Sequence, residues 1–394
     1  MGRRARITAG FACVALTALV AGCGQQGHAV PGELDVRKLD TGTYPVNRYT
    51  YDKNSGGKGA LLEGMRMADA VVPTLKVDSS LNVGRDGQVL TSVDDVVSVS
   101  RLSSSARPIL QNRGFIVGFA AGGSDREDIN GDPDPNGTTV TLRLLRFPSA
   151  DNAKLAAKEL EDADFSVALN QNQKLTLPDY PDAFSHWRPG VPTIGVTMPR
   201  GQFVISVFAS RPSADQTDLL SWAKKSLDAE VPAVDAFQPT PSDKLDQLPV
   251  DPDRMLARTL VADRDNRSPD PDKFAVYGPN FLIMLDDNMA LRSRLVSDTG
   301  MDELSEADDS FLFRVRDAKG GLDLVAGLIA SLGETSGNGP DGVPDTKCVH
   351  HPTGSEPYRC YVVYKRYVGV VNSATEGDAQ KRATAQYALL ANSL

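Results

Sequence analysis

Apolar and polar positions follow two different periods along this chain, and the changes of period mark out its helices and strands. In "ALLEGMRMADAVV", Ala60 to Val72, the residues Leu61, Leu62, Met65, Met67 and Ala68 fall at helical spacing until Pro73 stops the run. Phe115 to Ala120 reads as a strand, and Thr139 to Phe147 alternates Val140, Leu142 and Leu144 as a half-buried strand requires. Ser149 caps a helix to about Ala163, with Asp151 in the first turn, where the helix dipole favours an anion. Strands follow at Phe184–Arg188, Thr193–Met198 and Gln202–Ala209, the last two joined at Pro199-Arg200-Gly201. The next helix is expected from Ala214 to about Ala229, with Ser213 and Gln216 as its capping box.

The second half repeats this order loosely. A strand near Phe311 to Val315 precedes a helix from Gly321 to Leu332, and the strand pair Tyr358–Tyr364 and Tyr367–Val371 feeds a last helix from Gly377 to Asn392. "FVISVFASRPSADQTDLLSWAKKSL" and "YVGVVNSATEGDAQKRATAQYALL" share strand, polar turn and amphipathic helix with few identities. The expected fold class is α+β: two domains, each an antiparallel sheet packed with helices. Duplication of a strand-helix-hairpin-helix unit would explain the parallel; so would two similar layouts arising by chance.

Arg3, Arg4 and Arg6 precede an apolar stretch from Ala9 to Ala21, the layout of a secretory signal. The stretch is too short for a span, which needs about 20 apolar residues. Leu19-Val20-Ala21-Gly22-Cys23 closely resembles the bacterial lipobox, which implies cleavage before Cys23 and a diacylglyceryl group on its thiol. Two or three acyl chains such as palmitate, at about 0.8 kcal/mol per buried methylene, hold a protein on a membrane. The plainer alternative is an ordinary signal peptide whose cysteine merely lies near the cut. The expected organisation is residues 1–22 as signal peptide, 23–55 as lipidated tether and extended segment, 56–238 as the N-terminal domain, 239–252 as a Pro-rich linker and 253–394 as the C-terminal domain. Two domains also suit the length, because a single core stops growing at roughly 250–300 residues.

Charge narrows the partners. The formal charge of −9 becomes three units more negative once Arg3, Arg4 and Arg6 leave. That argues against nucleic acid, and against lying flat on an anionic membrane by electrostatics. Among four cysteines, Cys13 leaves with the signal and Cys23 is spent on lipid, so Cys348 and Cys360 remain as an even pair outside the cytoplasm and read as a disulfide. Zinc is the competing reading, since Cys348-Val349-His350-His351 with Cys360 offers two sulfurs and two imidazoles, though at none of the usual spacings.

Catalytic motifs are lacking: there is no G-x-S-x-G, H-E-x-x-H or P-loop, no G-x-G-x-x-G that enters a helix, and no cofactor is implied. Ser55-Gly56-Gly57-Lys58 and Ser221-Trp222-Ala223-Lys224 spell S-x-x-K without the motifs that accompany it in catalysis. Asp132, Asp134, Asn136 and Gly137 match the first half of a calcium loop, but Arg143 stands where the closing Glu belongs, so a solvated hairpin loop is expected. Acid and Pro clusters at Asp263–Asp272 and Gly339–Asp345 read as exposed loops too, unless the three face one another around a cation. In "SHWRPG", Trp187 buries its ring while His186 and Arg188 share the opposite face, which is either a place to meet an acidic ligand or partner or, more plainly, two exposed polar neighbours of a core Trp. Tyr358, Tyr361, Tyr364 and Tyr367 are explained by packing and sheet propensity.

"LDTGTYP" at Leu39–Pro45, "HWRPG" at His186–Gly190, "VYGP" at Val276–Pro279 and the Cys348–Cys360 segment resemble an uncharacterised family of actinobacterial lipoproteins over nearly the whole mature chain. The resemblance implies an envelope location and a two-part α+β body, and transfers no catalytic or ligand residues. The function expected is non-catalytic binding of a partner protein or envelope molecule at the extracytoplasmic face of the cell membrane. The rivals are a hydrolase whose site assembles only in three dimensions, with His186 or His350, and a structural scaffold.

Overall fold

The computed structural model describes residues 34–98, 102–285, 287–351 and 354–394. The signal segment and Cys23 lie outside the described residues. Leu39–Leu394 form one compact unit, preceded in sequence by a 3-10 turn at Val36–Lys38. Among the described residues no helix is long and apolar enough to cross a membrane.

The first domain runs α1 (Gly59–Met67), β1 (Val83–Leu90), α2 (Val93–Ser98), α3 (Ala106–Asn112), β2 (Val117–Ser124), β3 (Thr139–Arg146), α4 (Ala150–Ser166), β4 (Gln173–Leu175), β5 (Phe184–Trp187), β6 (Thr193–Arg200), β7 (Phe203–Ser210) and α5 (Gln216–Ala236). The second runs α6 (Met255–Arg258), β8 (Phe274–Tyr277), α7 (Pro279–Met284), α8 (Met289–Thr299), β9 (Glu303–Ala307), β10 (Ser310–Arg314), α9 (Ala318–Ser331), β11 (Thr335–Ser336), β12 (Thr346–His350), β13 (Tyr358–Tyr364), β14 (Tyr367–Ser373) and α10 (Glu376–Ser393). The fold is α+β, with two antiparallel sheets of seven strands each. Their orders, β1-β2-β3-β7-β6-β5-β4 and β8-β9-β10-β14-β13-β12-β11, become the same when β8 is set on β1. Helices fall at matching places too: α4 and α9 follow the third strand, α5 and α10 the seventh. The likeness of the two halves is therefore one of topology throughout.

Each sheet is covered from both sides because its strands are apolar on both. In the first domain, Ala153, Ala156, Ala157 and Leu160 of α4 pack on Leu90, Ala120, Leu145 and Val204. On the other face, Leu219, Trp222, Ala223 and Leu227 of α5 belong to the cluster that includes Leu142, Val196 and Val207. That cluster continues into Tyr277, Phe281, Met284, Val368 and Val370 of the second domain, so one apolar core joins the two.

Polar contacts make the junction specific. Asp69 accepts from the backbone N–H of Asn280 at 3.2 Å, and Asn280 donates back to the carbonyls of Asp69 and Val71. A Cβ at Gly278, in "VYGP", would sit 1.5 Å from Asp69 Oδ2, so only glycine fits there. Asn82 accepts from Ala290 N–H at 2.7 Å. Residues 39–54 form an extended strap over the second domain. Tyr44 donates to Asp378 at 2.8 Å, Arg264 donates to the carbonyls of Pro45 and Asn47, and Asn392 donates to the carbonyl of Val46. The Pro-rich connection is pinned as well. Glu63 and Arg146, both fully buried, pair at 2.6 Å, and Glu63 also accepts from Thr240 N–H at 2.9 Å.

Two expected helices have different limits. α1 ends at Met67 instead of reaching Val72, because the backbone of residues 69–72 bonds outward, to Asn280 and through Val72 N–H to Glu230. α5 starts at Gln216 with Asp215 as N-cap, its carboxylate accepting from Asp218 N–H, so Ser213 and Gln216 form no capping box. It also runs through Pro232 to Ala236. Pro232 is exposed, so the carbonyl it leaves without a ladder partner faces water. Ser149 does cap α4, accepting from Asn152 N–H.

Candidate functional site

Ser185, His186 and Trp187 of "SHWRPG" lie on β5, second from the outer edge of the first sheet, and Arg188 follows the strand's end. Strand alternation sends His186 and Trp187 to opposite faces. Trp187 lays its ring on the core and donates from Nε1 to the carbonyl of Val191 at 2.8 Å. His186 turns under α4, where its Nδ1 lies 3.0 Å from both carboxylate oxygens of Glu161 and its Nε2 lies 3.8 Å from Asp164. Lys174 on β4 reaches the same Glu161 at 3.1 Å. Arg188 donates from Nε to Asn172 Oδ1 at 3.3 Å. Desolvation holds Asp164 above the usual carboxylate range, opposed by the nearby charges of His186 and Arg188. Arg188 lies just past the end of β5, where strand alternation no longer applies, and His186 is spent on fastening the sheet edge to α4.

Glu161, Asp164 and Lys174 are absent from the motif-based candidates. Their signal is a helix-face one. Glu161 stands beside Leu160, eight residues after Ala153, on the buried stripe of α4, where an acid needs a partner.

The second domain builds a related cluster. Glu334, just before β11, is buried and receives Tyr361 Oη at 2.7 Å and Arg359 at 2.8 Å, with His351 Nδ1 at 3.1 Å. Burial pushes the Tyr361 phenol up from its ordinary value. The match to the first domain holds rung by rung. Gln173 pairs with Trp187 and Thr335 with His350; one step beyond, Asn172 meets Arg188 and Glu334 meets His351. His350 is exposed, edge-on to Tyr358, and takes no part.

Cys348 and Cys360 are cross-strand partners on β12 and β13 and form a disulfide, so their sulfurs are not zinc ligands. The tyrosines are packing residues: Tyr361, Tyr364 and Tyr367 are buried, and Tyr364 meets Tyr387 edge to face.

Asp132, Asp134 and Asn136 lie in the β2–β3 hairpin, where Asp134 Oδ1 accepts from Asn136 N–H at 2.8 Å and Arg143 is buried within β3. Among the described residues no three Asp, Glu, His or Cys gather closely enough to hold a metal ion. The acidic loop of Asp263–Asp272 precedes β8 and that of Gly339–Asp345 precedes β12, beside β11, so these two flank opposite edges of one seven-stranded sheet. Ser55 bonds to Asp246 and Lys58 to the carbonyl of Pro269, while Lys224 pairs with Asp228, so neither S-x-x-K forms a catalytic dyad.

Fold and clusters define a two-domain α+β protein built from topologically matched seven-stranded units. A profile for the N-terminal part of the domain of unknown function DUF7373 matches residues 50–250, and one for its C-terminal part matches residues 255–393. The chain belongs to the DUF7373 family. A search of curated proteins finds no match. Among solved structures, the extracellular domain of PknH from Mycobacterium tuberculosis is similar at 12% identity over 48% of this chain and 98% of that chain, with a TM-score of 0.24.

Proposed function

We propose that this protein is held by lipid on Cys23 at the extracytoplasmic face of the cell membrane and acts there by binding a partner protein or an envelope molecule, without catalysis. The observation that carries the binding reading is that the polar clusters of both domains are spent internally. His186 faces Glu161 and Asp164, and Glu334 is shared among Arg359, Tyr361 and His351. Neither cluster holds a nucleophile set against a free base. The depression lined by Asp317, Ala318, Lys365, Arg366, Tyr367 and Leu394, of about 430 Å³, lies open at the surface. Contacts made on such a surface suit a partner better than an enclosed small molecule. The disulfide supports an oxidising compartment, and the lipobox-like Leu19–Cys23 supports the anchor.

The test is saturable binding of the purified mature chain to isolated cell-envelope material, with parallel assays of ester, amide and glycan hydrolysis. Saturable retention without turnover is expected. Turnover abolished by His186→Ala would establish the hydrolase instead, and lack of saturable retention would remove the binding role.

A further inference from the structure

The two sheets carry their outer strips differently. In the first domain, α4 packs along β5, β6 and β7, and His186 and Lys174 tie the β4–β5 strip to Glu161 on that helix. α4 has 17 residues; its counterpart α9 has 14 and packs along β13 and β14. At the rung where the first domain has Lys174 and His186, the second has Ser336 and Val349, which offer no charge to a helix. Two residues before Trp187 and before His350, the matched cross-strand pairs are Ser185 with Val196 and Cys348 with Cys360. The disulfide thus stands in the strip that lacks the helix fastening. Its other ties are the β12–β13 ladder, Val349 buried in the core, the Glu334 cluster at one end and the exposed hydrogen bonds of Asn338 with Glu376 and Gln380.

We propose that the Cys348–Cys360 disulfide is a redox latch: a dithiol reductant opens it, and the β11–β12 strip comes off β13 while the rest of the fold stays closed. A small notch of about 30 Å³, lined in part by Cys348, Cys360, Gly337 and Ala379, borders the bond. Both cysteines are buried, with 8% of the Cys348 residue surface and none of Cys360 accessible, so the proposal directs the incoming thiolate to Cys348 Sγ. The S–S bond breaks, and Cys360 leaves as a thiolate that takes up a proton. The reductant's second thiol then displaces Cys348, closing its own disulfide as the protein gains two electrons and two protons. Opening turns β13 into an edge with unpaired backbone groups, the kind of surface that accepts a further strand.

Amide hydrogen exchange on the full mature chain, oxidised and reduced with dithiothreitol, tests this. Reduction should speed exchange at 346–350 at least tenfold, leaving 184–187 of the first domain and the inner strands β10 and β14 unchanged. The double variant Cys348→Ser, Cys360→Ser should match the reduced protein under both conditions. Unchanged protection of 346–350 would show the disulfide to be redundant, and loss of protection throughout the chain would show it to be a global staple; either overturns the latch.

Discussion

Glu230 on α5 is fully buried, accepts Val72 N–H at 3.0 Å with one carboxylate oxygen, and has no hydrogen-bond partner for the other. Desolvation pushes it up to about 8, against ~4.3 for a free Glu. A carboxyl raised in the folded state contributes its full stability below its unfolded pKa and loses it as pH rises through the folded value. Glu230→Gln keeps the bond to Val72 and removes the ionisation. From about pH 5 to about pH 8 the variant should therefore gain on the wild type by on the order of 3 kcal/mol, read from urea midpoints. Parallel profiles for the two proteins would contradict this. Glu161 and Glu334 mark where legibility ends at this scale. Cys348 and Cys360 find each other by counting cysteines, whereas the partners of His186 and His351 come from separate elements and depend on how a helix crosses a sheet.

Elements whose apolar period is continuous are readable from the sequence, and β6, β7, β13, β14, α4 and α10 emerge close to their limits. The short helices α2, α3, α7 and α8 do not, since their form is set by what they cover; α7, for example, begins at Pro279, where Asn280 is held by Asp69. The strap of residues 39–54 has no periodicity at all. It is fixed by single groups, chiefly Arg264, whose guanidinium serves Pro45 and Asn47 and lies 5.5 Å from the centre of the Tyr49 ring. Arg264→Ala should leave the sheets intact and make the strap several times more sensitive to limited proteolysis. Cleavage spread equally over both domains would instead give Arg264 a role in the core.

Over the whole molecule, the two topologically matched domains share one core, and the strap and Pro-rich connection close them further. The matched order follows from the sequence only in part, because β1, β8 and β9 lack clear alternation and the pairing of distant strands is a property of the assembled sheet. What distinguishes the halves is chemical: a helix-bound His186 in one, a disulfide and the Glu334 cluster in the other. The proposed recognition role rests on this body, and the proposed membrane address on Cys23. The most direct test is metabolic labelling with a palmitate analogue, followed by fractionation of cells making the wild type or Cys23→Ala. The labelled wild type should stay with membranes, and the unlabelled variant should be released. Label on the variant, or its full retention with membranes, would contradict the lipid anchor.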